Sequence, residues 1–168
     1  MKLFAVLIWI CCGMNANAQS LCLRGGKSLV PADYFSLRYT HPTNGKLHFV
    51  FGVYHERSHR DLLQYTSFGM DLMTELYSNH AERSDQGLGL SSAIGLSWQV
   101  EHEPWLYKDW PLSKRSSFGL AGEINAHWFL SSAFTLSSFF QQKMLFNPLL
   151  GRYRLMGGLG IHYRFGSY

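Results

Sequence analysis

The sequence predicts an all-β fold, an eight-stranded antiparallel up-and-down barrel of the outer-membrane type. Three observations predict it. Apolar and polar side chains alternate along eight segments, the residue spacing of a strand with two unlike faces. Aromatic residues make up 15% of the chain and glycines number sixteen, while prolines number only five, a composition that suits sheet more than helix. Short and long connections are unequally shared between two rims, the plan of a barrel that crosses a membrane.

The front of the chain reads separately. Met1 and Lys2 precede the apolar run Leu3 to Cys12, and small and polar residues then end in Ala16-Asn17-Ala18 before Gln19. This is the pattern of a secretory signal peptide cleaved after Ala18, leaving residues 19–168 as a single transmembrane barrel domain. The run is too short for a membrane helix, because roughly ten apolar residues do not cross a hydrocarbon core of about 30 Å. Bulky Trp9 and Ile10 beside Cys11 and Cys12 oppose a lipoprotein reading. Cys22 is then the one remaining thiol, so the fold holds without an internal disulfide, and a bond to a partner stays open. The formal charge of +4 is small and scattered, with no basic helix or aromatic platform, and direct nucleic-acid binding is not expected.

The strands are expected at Leu21 to Lys27, Ala32 to His41, Lys46 to Glu56, Leu62 to Leu76, Gly87 to Gln99, Ser117 to Phe129, Ala133 to Leu145 and Tyr153 to Phe165. The first is short, and its Gly25-Gly26 reads as a bulge or tight corner. The fifth sets Leu88, Leu90, Ile94, Leu96 and Trp98 against Ser91, Ala93, Ser97 and Gln99. In the sixth, Phe118, Leu120, Ile124 and Trp128 oppose Ala121, Glu123, Asn125 and His127. The eighth places Tyr153, Leu155, Leu159, Ile161, Tyr163 and Phe165 opposite Arg154, Met156, His162 and Arg164.

In a meander of these strands, 41–46, 77–86 and 130–132 fall at one rim with both chain ends. The connections 28–31, 57–61, 100–116 and 146–152 fall at the other. His41-Pro42-Thr43-Asn44-Gly45 and Leu130-Ser131-Ser132 are turn signals, whereas Glu101 to Ser116 reads as a long polar-aromatic loop. A closed sheet leaves no edge unpaired in lipid. The faces opposite the apolar ones carry Arg38, Asp71, Glu75, Glu123, His127, Arg154, His162 and Arg164, which suits a narrow lumen plugged by paired charges. Tyr34, Tyr39, Trp98, Trp128, Tyr153, Tyr163 and Phe165 are expected in interface girdles. The competing reading is a soluble periplasmic sandwich or binding barrel, in which the apolar faces turn inward.

Several motifs also resemble a known family. Gly87-Leu-Gly-Leu-Ser-Ser-Ala-Ile-Gly-Leu96, Ser117-Phe-Gly-Leu-Ala-Gly-Glu123, Trp128-Phe-Leu-Ser131 and the closing Gly157-Gly-Leu-Gly-Ile-His-Tyr-Arg-Phe165, with a weaker echo at Cys22-Leu-Arg-Gly-Gly26, resemble the TraO proteins of Bacteroidetes conjugative transposons. The resemblance implies an outer-membrane component of a conjugative DNA-transfer apparatus, with other apparatus proteins as partners. It does not imply that this chain is the DNA pore. The loop between the fifth and sixth strands departs from the family pattern.

Chemistry on the polar face is the alternative to a structural role. A lipid-modifying hydrolase needs a nucleophile near a His that a carboxylate orients. Glu123 and His127 share a face but lie about 13 Å apart along an ideal strand, and no motif distinguishes Ser91, Ser97, Ser137 or Ser138. His55-Glu56 with His59, and Glu101-His102-Glu103, read as solvated loop clusters rather than metal ligands. No catalytic residue, cofactor or metal is therefore expected. Buried charges need partners, and Glu123 is expected to pair across the lumen with Arg154 or Arg164. An eight-stranded interior has room for packed side chains and not for a transport pore. Trp105, Tyr107 and Trp110 in the longest loop are expected either to form a partner-contact surface or to lie across the barrel rim or in lipid headgroups.

Overall fold

A computed structural model describes residues 19–43, 47–58, 65–79, 87–103 and 113–165. The signal-peptide expectation for residues 1–18, His59, and the loop residues Trp105, Tyr107 and Trp110 lie outside the described residues. Eight strands follow one another in sequence order: β1 (Gln19–Ser28), β2 (Ala32–Pro42), β3 (His48–Arg57), β4 (Thr66–Asn79), β5 (Leu88–Glu103), β6 (Ser113–Phe129), β7 (Phe134–Phe146) and β8 (Tyr153–Phe165). Each pairs antiparallel with the next, and β8 pairs with β1 to close the barrel. We call the rim holding Gln19 and Phe165 the terminal rim and the opposite one the distal rim.

The register fixes the shape. From Lys27, partner residues lead through Asp33, Arg57, Thr66 and His102 to Lys114 on β6; in the other direction they lead through Gly157 and Phe140 to Ile124 on the same strand. The two routes end ten residues apart, and that stagger tilts eight strands by roughly 40° from the barrel axis. A row of partners therefore climbs as it goes round. Between Lys27 and Lys114 it rises about 15 Å toward the distal end, given a strand spacing near 4.8 Å and that tilt.

The wall is inverted relative to a soluble barrel. Large apolar side chains such as Leu23, Phe35, Leu72, Leu96, Phe118, Ile124 and Ile161 face outward and are exposed, whereas Arg24, Arg38, Glu56, Asp71, Glu101, Glu123, Lys143 and Arg154 are buried inside. Alternation alone does not say which face turns in; the structure does, with the charged rows inside and the apolar rows outside. Inward glycines make the room. A Cβ on Gly52 would lie 3.1 Å from Arg38 Cγ, one on Gly160 2.8 Å from Arg24 Cγ, and one on Gly69 2.3 Å from the Tyr54 ring.

Four expectations are corrected. Gly25 and Gly26 form no bulge: they keep regular register with β2 and β8, and β1 runs ten residues. The irregularity lies in β4, between Glu75 and Tyr77. The segment read as a loop from Glu101 to Ser116 is strand at both ends, since β5 continues through Glu103 and β6 begins at Ser113. Tyr34 does not join an outer girdle; it is fully buried in the lumen, because it shares the parity of Arg38, whereas Tyr39 has the opposite parity.

Candidate functional site

The lumen holds the polar chemistry, in layers. At the terminal end a cavity of about 230 Å³ is lined by Cys22, Ser91, His127, His162 and Arg164, among others. Ser91 Oγ lies 2.9 Å from His127 Nε2, and Ser137 Oγ lies 2.9 Å from His162 Nε2. The two imidazoles meet edge to face at 5.2 Å. Asn125 Nδ2 donates to Ser91 Oγ at 3.3 Å. These contacts follow from register: Ser91 stands opposite Asn125 and Gly89 opposite His127, so Ser91 and His127 are diagonal neighbours on one face.

Beneath the cavity a carboxylate ties three strands together. Arg38 holds Glu123 through both oxygens, at 2.6 and 2.5 Å. Arg24 donates to Glu123 Oε1 at 2.9 Å and to Asn125 Oδ1 at 3.0 Å. Two-pronged guanidinium–carboxylate contacts fix orientation as well as charge. The next layer is built on Asp71, which lies 2.9 Å from Lys143 Nζ, 3.6 Å from Arg38 and 3.0 Å from Gln141 Nε2. The Lys143 ammonium also sits 3.1 Å from the centre of the Tyr54 ring, where the π face favours a cation. Tyr54 in turn belongs to a buried cluster with Tyr34, Phe139 and Met156.

The distal layer centres on Arg154, which is fully buried. It bonds Glu101, lies 3.4 Å from Glu56, and donates to the Tyr65 hydroxyl at 3.1 Å. Gln99 Nε2 and the Leu149 backbone N–H also donate to Glu101, at 2.9 and 2.6 Å. Across the three charged layers Arg24, Arg38, Lys143 and Arg154 face Glu56, Asp71, Glu101 and Glu123, four charges of each sign. Such a set compensates its own desolvation only while every member is present.

The expected pairing of Glu123 with Arg154 or Arg164 is therefore corrected. Glu123 and Arg154 both belong to the lumenal network, but they serve different layers. Two intervening features separate them: Asp71 with Lys143, and the aromatic packing of Tyr34 and Tyr54. Arg164 lines the terminal cavity instead. The sequence reading missed Arg24, because it sits beside Gly25-Gly26 in a segment taken as irregular. It also missed Glu56 and Glu101 as lumenal residues, having grouped Glu56, the last residue of its third strand, and Glu101 with their His neighbours as solvated clusters; His55 and His102 face outward. Lys143 alternates in phase with Gln141 and Leu145, and that parity was the available signal. Cys22 is buried and lines the cavity, away from the outer wall.

No protein-family model and no curated protein matches this sequence. Solved structures do match the fold. The N-terminal β-barrel domain of Pseudomonas aeruginosa OprF superposes with a TM-score of 0.64 at 12% identity, over 90% of this chain and all of that one. Neisserial surface protein A gives 0.63 at 9% identity, over 87% of this chain and 94% of that one. The outer membrane enzyme PagL gives 0.53 at 8% identity, over 86% of this chain and 98% of that one. The chain thus has the closed eight-stranded antiparallel fold of outer-membrane barrels, a fold that serves an enzyme among others.

Proposed function

We propose that this protein sits in the bacterial outer membrane and acts as a non-enzymatic assembly or structural subunit of a conjugative DNA-transfer apparatus. The membrane reading is supported by one observation above all, the apolar wall turned outward around a charge-neutral, side-chain-filled interior. Lipid is the solvent in which such a wall is stable. A structural role is favoured over transport because Arg24, Arg38, Lys143 and Arg154 occupy the bore in successive layers. The conjugative role is supported by the sequence resemblance of the Gly87–Leu96, Ser117–Glu123 and Gly157–Phe165 motifs to TraO proteins.

The longest strands, β5 ending at Glu103 and β6 beginning at Ser113, flank the segment of sequence that carries Trp105, Tyr107 and Trp110. They raise its bases above the β1–β2 turn, which suits a contact surface for other apparatus proteins. Deleting residues 103–112 in a donor strain tests this. Loss of transfer with normal barrel yield is the expected result, with apparatus proteins crosslinking to the full-length chain and not to the deletion. Undiminished transfer in a strain lacking the whole gene overturns the conjugative role.

One observation favours a second reading, a hydrolase built on Ser91 and His127. Their 2.9 Å contact has the separation of a nucleophile and its base. It lies inside the lumen, however, whereas membrane lipid lies outside. Ester turnover by the purified barrel that disappears in both Ser91→Ala and His127→Ala establishes this reading and removes the first.

A further inference from the structure

The outer wall carries a feature that the lumenal site does not use. On the distal half, outward positions that are apolar elsewhere become His55 and Arg57 on β3, His102 on β5 and Lys114 on β6. Arg57, Thr66, His102 and Lys114 are successive cross-strand partners. Between them lies an open groove of about 420 Å³ on the outer surface, floored by Thr66, Phe68 and Val100 and edged by His55, His102 and Lys114. The outward acid in the same row is Asp33, which pairs with Lys27 and stands directly opposite Arg57 across the β2–β3 pair. At the terminal end no described outward position carries Lys or Arg: Trp128, Phe134, Tyr163 and Phe165 stand there instead.

The geometry points to this groove as a binding site for one phosphorylated lipid of the leaflet around the distal rim. The Lys114 ammonium on the groove's edge complements a phosphate monoester or diester, and Arg57, the cross-strand partner of Thr66, adds a second cation beside it, on the side of the neighbouring hollow that it lines with Lys27 and Asp33. The floor continues without a break into the apolar belt through Phe68 and Met70 on β4 and Leu96 on β5, so an acyl chain can run down the wall while the headgroup stays among the cations. A soluble anion would use the cations and leave that floor exposed; a lipid covers both. Lys114 stands highest and lines the groove, and a long cationic side chain at a membrane interface can lay its methylene stem along apolar surface while keeping its charge among headgroups. The inference rests on the membrane reading and is independent of conjugation.

The experiment uses the mature barrel refolded in neutral detergent and native mass spectrometry of the lipid it retains. The probes are diphosphoryl lipid A and the same lipid with its phosphates removed. Wild type is expected to retain the phosphorylated form at least tenfold better, and Arg57→Gln/Lys114→Gln is expected to abolish the preference while heat-modifiable mobility on gels shows an intact barrel. Equal retention of the two lipids by wild type, or an unchanged preference in the double variant, overturns the groove. Displacement of the lipid by a short sulfated polysaccharide at equimolar concentration also overturns it, marking the cations as a site for a soluble polyanion. A chain that is monodisperse in buffer without detergent overturns the membrane reading itself, a result distinct from the others.

Discussion

The terminal and distal halves of the barrel are built from the same alternating strands yet differ on both faces. Inside, the terminal half is open, with two Ser–His pairs around a cavity; the distal half is filled by Lys143, Arg154 and their carboxylates. Outside, the terminal end shows aromatic rings and the distal half shows cations beside a groove. The alternation is common to both halves, so alternation sets the fold and the identity of the residues at each height sets the chemistry. A barrel in lipid meets a different environment at each height, and its wall varies accordingly.

The sharpest way to break this comparison is to remove the carboxylate where the halves meet. Glu123→Ala leaves Arg24 without a carboxylate and Arg38 with only Asp71, 3.6 Å away, and is expected to cost about 3–5 kcal/mol. Urea unfolding in detergent or vesicles measures it; a cost below about 1 kcal/mol, the level of an exposed pair, would show that water reaches the network and replaces the lost partner. Next in size is the depth of the outer wall. Ile124→Arg, midway along the apolar belt, is expected to destabilise by about 2–4 kcal/mol, and Val100→Arg beside the distal cations by about 0–1 kcal/mol. Equal costs at the two sites, by the same unfolding measurement, would remove the assigned depth. Smallest is the terminal cavity. Ser91→Ala deletes the contact with His127 and the weaker bond from Asn125, and should cost about 1–2 kcal/mol, with no change in gel mobility of the folded barrel. A cost near that of Glu123→Ala would make the cavity part of the structural network.

How much of this was legible in the sequence depended on whether a feature is local. Strand phase is local, so Phe118–Trp128 and Tyr153–Phe165 show an apolar face and a polar one, with Glu123, His127 and Arg154 on the polar one, without reference to any other segment; which face turns inward is not local. Pairing across the bore is not local. Glu123 meets Arg24 and Arg38 because a ten-residue stagger lifts β6 against β1 and β2, and no property of the Glu123 segment encodes that offset. The Ser91–His127 contact is intermediate: it needs the β5–β6 register and nothing more, so a correct length for the connecting loop would have given it. Loop chemistry misled where strands ran long. Glu101-His102-Glu103 looks like a polar loop cluster, yet in strand phase it sends Glu101 to Arg154 and His102 to the outer wall.

The closing seam has a consequence for the order in which the molecule is made. Gly26 stands opposite Gly158 in the β1–β8 pair, and a Cβ on Gly26 would lie 2.3 Å from the Gly157 carbonyl oxygen. No other strand pairing joins residues so far apart in the chain, and the search for it is the slowest contact to form. At Gly26 and Gly158 the two strands meet through backbone alone, whereas Leu21 with Tyr163 and Leu23 with Ile161 still set side chains opposite each other along the same seam. The same seam should be the first to breathe, and amide hydrogen exchange at Gly26 and Gly158 faster than at the β5–β6 centre is the expected signature; slower exchange there would place the nucleus of assembly at the ends of the chain.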